Sequence, residues 1–170
     1  RRDADCNRWA YARQFDIYDD KIYIADTYND RVIALNLDGS CHWARQMGKA
    51  RFNYPHAVAV DSSYVYVGYP NSFLSLLTKS GIQLRSPGEI YLGGNLSYSW
   101  GMSLNSAGNK LVIADYNKNR ITEFTVSGTS ISYSQATSTS YSSSNGYFRR
   151  PTDAAYDSSG NIYALDLYGH

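Results

Sequence analysis

Asp26, Asp115 and Asp166 are the first residues in this chain of 170 whose types and surroundings are suited to chemistry. Each closes a run of aliphatic and aromatic residues, as in Ile22-Tyr23-Ile24-Ala25-Asp26 and Leu111-Val112-Ile113-Ala114-Asp115. Gathered in space, three carboxylates would ligate a metal. Left apart, each accepts backbone N–H bonds from the turn that follows and pairs with the next arginine, Arg31 or Arg120. The second use needs no convergence, so Asp26, Arg31, Asp115, Arg120 and Asp166 are read as structural. His56, behind Pro55 at the start of a short apolar run, is the sharpest enzymatic clue. A catalytic zinc commonly takes three protein ligands, and the matching positions, Gln14, Trp100 and Thr152, supply no further imidazole. His42 is placed on an outer strand and His170 in a distal loop. No Gly-x-Ser-x-Gly, no Gly-x-x-x-x-Gly-Lys and no cysteine with a basic partner occurs. Catalysis is not indicated, His56 is only a weak metal candidate, and no cofactor is expected.

The elements that must carry these residues announce themselves by repetition. Lys21-Ile22-Tyr23-Ile24-Ala25-Asp26-Thr27-Tyr28-Asn29-Asp30-Arg31 returns as Lys110-Leu111-Val112-Ile113-Ala114-Asp115-Tyr116-Asn117-Lys118-Asn119-Arg120, and again as Asn161 to Tyr168. A degenerate copy, Tyr64 to Asn71, has Tyr69 where the others have Asp. The copies lie roughly 40 to 50 residues apart, the length of one four-stranded propeller blade. A small, apolar run precedes each phrase, as in Ala57-Val58-Ala59-Val60, and is read as the inner strand lining a crowded central channel. Third strands begin at Arg31, Phe73 and Ile121, and Asp38-Gly39, Ser80-Gly81 and Ser127-Gly128 close hairpins to outer strands. The expected fold is all-β: a single propeller portion over 1–170, with four-stranded antiparallel blades divided at about 1–12, 13–50, 51–95, 96–147 and 148–170. Cys6 and Cys41 are assigned to matching places on the outer strands of adjacent blades, a candidate disulfide.

The phrase Asn-Ile-Tyr-Ala-Leu-Asp and its relatives, followed by Asn-x-Arg and preceded by proline and a small apolar strand, resembles the blade of the NHL-repeat β-propellers. The resemblance covers about Arg13 to His170, and the second copy departs from it. It implies a ring that usually closes with six blades, so the chain is expected to be an incomplete ring or a fragment whose open blade edges pair with further blades or other copies. It also implies two activities known in the family. Peptide-amidating and related lyases hold a metal with channel-facing histidines, which makes a metal-dependent lyase the alternative function. Some members bind RNA, but the net charge is +1 and the basic residues are scattered, so nucleic acid is an unlikely partner.

Apolar residues make up 43% of the chain and charged ones 18%, enough to fold. No run reaches the ~18 to 20 apolar residues of a membrane span. Seventeen tyrosines point elsewhere: Tyr28, Tyr69, Tyr116 and Tyr168 fall in turns that a propeller gathers on one face, with His56 and Trp100 at the channel mouth. Rigid amphipathic rings suit recognition of a protein, peptide or glycan. Asn95-Leu96-Ser97 is a formal N-glycosylation acceptor, and a Ser/Thr/Tyr-rich stretch runs from Thr125 to Tyr147. The expectation is a non-enzymatic binding or assembly module, part of a larger extracellular or cell-surface protein.

Overall fold

The computed structural model describes residues 6–47, 54–137 and 147–168, with 86–88 as backbone only; His170 lies outside them. Among these residues the chain forms three four-stranded antiparallel sheets and a two-stranded one, the blades of a β-propeller. Blade 1 comprises β1 (Ala12–Tyr18), β2 (Lys21–Asp26), β3 (Arg31–Asn36) and β4 (Cys41–Gln46). Blade 2 comprises β5 (Ala57–Val60), β6 (Tyr64–Gly68), β7 (Phe73–Thr78) and β8 (Gln83–Tyr91). Blade 3 comprises β9 (Ser99–Leu104), β10 (Lys110–Asp115), β11 (Arg120–Ser127) and β12 (Ser130–Ala136), and blade 4 comprises β13 (Pro151–Tyr156) and β14 (Ile162–Asp166).

Alternation decides which side chains meet. In blade 1, Tyr23 and Ala25 of β2 and Val32 and Ala34 of β3 face blade 2, where they pack with Val58, Val60, Val65, Val67 and Leu77. Ile22, Ile24, Ile33 and Leu35 turn the opposite way. The same back-to-front contact recurs: Tyr66, Leu74 and Leu76 of blade 2 meet Met102, Leu111, Ile113 and Phe124 of blade 3. Val112, Ala114 and Ile121 of blade 3 then meet Ala154 and Ala164 of blade 4. Gly39, at φ +84°, turns the β3–β4 hairpin in a conformation that an L side chain rarely adopts.

Inner strands pack in order, β1 on β5, β5 on β9 and β9 on β13. They converge on Gln14. Its Oε1 accepts N–H bonds from Val58 (3.0 Å) and Met102 (3.3 Å), while its Nε2 donates to Met102 O (2.9 Å) and Asp153 Oδ1 (3.2 Å). At this level the axis is filled by one side chain bonded to three other blades, where the sequence predicts a channel. β13 comes this close because Gly101 has no side chain: a Cβ there would meet Thr152 O at 2.8 Å and Asp153 Cα at 2.9 Å.

The first residues depart from expectation. Cys6 to Ala10 form no strand; Cys6 lies over Ile24, Ile33 and Leu35 on the back of blade 1. The segment is tied down by polar groups of the turn after β2. Asn29 Nδ2 donates to Arg8 O (2.8 Å) and Arg31 Nη2 to Asn7 O (2.7 Å). Cys6 and Cys41 are bridged, with Cα atoms 5.4 Å apart. Their contact is therefore between a strap and the outer strand of one blade, since a strap follows side-chain and turn partners that no strand pattern encodes.

Candidate ligand-recognition face

Strand pairing fixes which residues of different blades are equivalent. Phe15 opposes Ile24, Val58 opposes Val67, Met102 opposes Ile113 and Ala154 opposes Ala164. Two residues before these lie Arg13, His56, Trp100 and Thr152, and two further back Tyr11, Tyr54, Tyr98 and Arg150. Sequence alignment put Gln14 where the fold puts Arg13, because it matched Asp19 with Asp61, whereas pairing sets Tyr18 opposite Lys21 as Asp61 is set opposite Tyr64. Sequence reading thus missed Arg13, Tyr11, Tyr54, Tyr98 and Arg150. The recurrence of Tyr before the inner strand in three of four copies was the available signal.

The carboxylates anchor the start of the inner strands. Asp26 Oδ1 accepts Ala10 N–H at 2.8 Å, Asp115 Oδ1 accepts Ser97 and Tyr98 N–H at 3.1 Å, and Asp166 Oδ2 accepts Arg149 N–H at 2.6 Å. Asp26 also pairs with Arg31 at 2.7 Å and Asp115 with Arg120 at 3.5 Å. The accepted N–H groups therefore precede the inner strand of the same blade, rather than following the Asp as the sequence reading held. Each Asp stands where the chain re-enters the hub, and it clamps that approach. Burial raises the Asp115 carboxyl above its ordinary value, against the opposing pull of the Tyr98 and Ser97 amides and Arg120.

Clamped in this way, the pre-strand residues and turns bring their rings together. Tyr11 and Tyr28 stack with centroids 4.8 Å apart, and Tyr54 meets Tyr28 edge-on at 5.9 Å. Trp100 and Tyr116 stack at 4.3 Å, with Tyr98 beside both at 5.7 and 5.9 Å. Arginines join the clusters. The Arg13 guanidinium lies 5.1 Å from the Tyr11 ring and 4.4 Å from that of Trp100; Arg150 lies 5.3 Å from Tyr116 and 5.7 Å from Tyr168. Arg150 Nη1 also donates to the Tyr116 hydroxyl at 3.2 Å. A continuous ladder of rings and guanidinium groups therefore crosses the molecule from blade 1 to blade 4.

Three of the four turn tyrosines reach it. Tyr28 is 60% exposed and Tyr168 and Tyr116 lie at the surface to lesser degrees. Tyr69 does not: it occupies the Asp position, is fully buried among Val58, Val67 and Leu77, and its hydroxyl accepts a bond from Ser75 Oγ at 3.1 Å. An aromatic ring at the end of β6 follows the strand alternation inward, so the loop-face role assigned to Tyr69 is withdrawn. His56 is likewise beneath the surface, 4% exposed, under Tyr98 (5.2 Å) and Trp100 (6.0 Å). Burial, aided by the neighbouring Arg13 charge, lowers its pKa to about 4. A buried imidazole beside a guanidinium is poorly placed to draw in a cation. Among the described residues no three His, Cys, Asp or Glu side chains are grouped as a metal would need. Asn95 is exposed in a short turn, Gly93–Asn95.

No protein-family model matches the chain, and no curated protein matches it. Its fold is similar to solved β-propellers. Hydrazine synthase of Kuenenia stuttgartiensis superposes with a TM-score of 0.64 at 14% identity, over 89% of this chain and 40% of that one. Streptogramin B lyase superposes with a TM-score of 0.66 at 10% identity, over 95% of this chain and 50% of that one. The chain thus spans half or less of the length of these two chains, and at such identities the likeness is one of fold alone.

Proposed function

We propose that this chain is a non-enzymatic recognition module, an NHL-like propeller portion that binds a protein, peptide or glycan through the ladder face. The observation that carries the reading is the unbroken succession Tyr54, Tyr28, Tyr11, Arg13, Trp100, Tyr116, Arg150 and Tyr168. Rings held by one another lose little further freedom on binding, and Tyr, Trp and Arg dominate the energetics of protein interfaces. The Cys6–Cys41 bridge supports an oxidising, extracellular setting, and the exposed Asn95 acceptor is consistent with it. The test is a screen of immobilised peptides and glycans. The native protein retains a set of ligands and a Tyr28→Ala/Tyr116→Ala variant of unchanged circular dichroism loses them; ligands retained by both proteins would dispose of the reading.

A second reading, assembly with other blades or copies, is favoured by the outermost sheet faces. Phe15 is 62% exposed on the back of blade 1, and Tyr163 and Leu165 are 64% and 66% exposed on the front of blade 4. Both are repeats of surfaces that the interior blades bury.

A further inference from the structure

The ladder's own packing narrows what it takes. Trp100 has Tyr116 stacked on it and the Arg13 guanidinium over it, and Tyr116 has Trp100 and Arg150. Each of these two rings therefore already has an aromatic and a guanidinium neighbour against it, competing with the stacking that a sugar ring or a nucleobase would need there. A guanidinium held against a ring keeps its N–H donors, and its planar fork matches a planar, two-oxygen acceptor.

The arginines' donors are largely unspent. Arg13 makes no hydrogen bond or ion pair among the described residues, and its Nε is buried without a partner. Among the described residues, Arg150 makes one side-chain hydrogen bond, to the Tyr116 hydroxyl. Four neighbouring carboxylates are committed elsewhere: Asp26 to Arg31 and Ala10, Asp115 to Arg120, Ser97 and Tyr98, Asp153 to Gln14 and Ala154, and Asp30 to Tyr54 N–H. A fifth, Asp166, accepts the Arg149 N–H through Oδ2, and its Oδ1 is buried without a hydrogen-bond partner among the described residues. Arg150 also sits at φ +62°, a left-handed backbone held by Asn119 Oδ1 on its N–H (3.0 Å) and by Leu167 N–H on its carbonyl (3.3 Å). Strain of this kind is kept where surrounding structure fixes it.

We propose that the ladder binds an acidic polypeptide segment, two of whose carboxylates dock on Arg13 and Arg150 with its backbone lying across Trp100 and Tyr116. This rests on the recognition reading above and assigns its ligand class. Titration of a fluorescein-labelled oligoglutamate into the native chain, with oligolysine as control, gives saturable binding that weakens with added salt. An Arg13→Gln/Arg150→Gln variant with unchanged circular dichroism and thermal midpoint binds about tenfold or more weaker. Arg13→Lys/Arg150→Lys keeps the charge but not the fork, and also loses affinity. Absence of oligoglutamate binding, equal binding by the Gln or the Lys variant, or tighter binding of oligogalacturonate or oligouridylate would each overturn the assignment. If the assignment fails while screened ligands still depend on Tyr28 and Tyr116, the recognition reading stands; if they do not, both fall.

Discussion

His56 is kept neutral by its surroundings, and that has a measurable consequence. An unfolded chain protonates this imidazole near its ordinary 6.5, the folded protein only near about 4. As pH falls from 6.5 to about 4, the unfolded state takes up a proton that the folded state refuses, so stability declines; below about 4 both are charged and the loss ends. The expected loss is on the order of 2 kcal/mol after allowing for solvent screening. Asp16, Asp115 and Asp153, whose carboxyls burial pushes up, act with the opposite sign toward the acid end. The informative quantity is therefore the difference between native protein and His56→Gln in urea unfolding from pH 7 to 4.5. It should shrink steadily with acid, and a constant difference would refute the burial argument. Gln14 gives a second residue-scale prediction. Gln14→Ala strands the Val58 and Met102 amides at the hub and should cost about 2–3 kcal/mol in the same measurement. Neither effect was visible in the sequence. His56 reads there as a channel residue, and Gln14 as one polar residue in a strand, because His56 is set by Arg13, Tyr98 and Trp100, more than 40 positions away, and Gln14 by partners 44 to 139 positions away.

At the scale of elements, the strands whose alternation repeats were legible and the pieces set by tertiary contact were not. β2, β6, β10 and β14 could be read from Ile/Val/Leu alternating with Tyr or Ala, because each buries both faces between neighbours or repeats one that does. The Gly39 turn was equally plain. The offset of β1 was not: Tyr18 pairs with Lys21, which leaves Asp19 in the turn instead of at the place of Asp61, and this moved Arg13 out of the sequence alignment. The strap from Cys6 to Ala10 follows polar contacts that leave no periodic trace, although the cysteine pair itself gave a hint. Two element-scale predictions follow from the geometry. Replacing both cysteines by Ser, or reducing the bridge, should free the strap from Ile24, Ile33 and Leu35 and cost about 3 kcal/mol, read by denaturant unfolding. Amide exchange in β2 and β3 should speed up on the same variant. Gly101→Ala places a methyl against Thr152 O and Asp153, so it should cost at least about 1–3 kcal/mol. Exchange should rise in β13 and β14 before β5 and β6; uniform acceleration would mean that the close approach is not what holds blade 4.

For the whole molecule, the same rule that builds the interior leaves its ends unsatisfied. Every interior boundary sets the front of one blade on the back of the next: Tyr23 and Ala25 on Val58 and Val60, Tyr66 on Met102, Ala114 on Ala154. Phe15 is the register equivalent of Val58, Met102 and Ala154, each of them buried while Phe15 is open. A shallow apolar recess of about 230 Å³ beside it is lined by Trp9, Phe15, Ile22 and Ile24. On the far side Tyr163 and Leu165 present the corresponding front. A back and a front of the same design are complementary to each other, so contact between copies would be head-to-tail and heterologous, closing a ring or running on as a filament. Exposed apolar area of this kind favours such contact over hydration. Sedimentation velocity on the chain should therefore show a mean mass that climbs with protein concentration. Phe15→Asp alone, or Leu165→Asp alone, should return it to monomer because each removes one half of the same joint, whereas Tyr28→Ala on the ladder face should leave association unchanged. A chain that stays monomeric at every concentration, or associates equally well with Asp at position 15, would show that blade faces are not the joint.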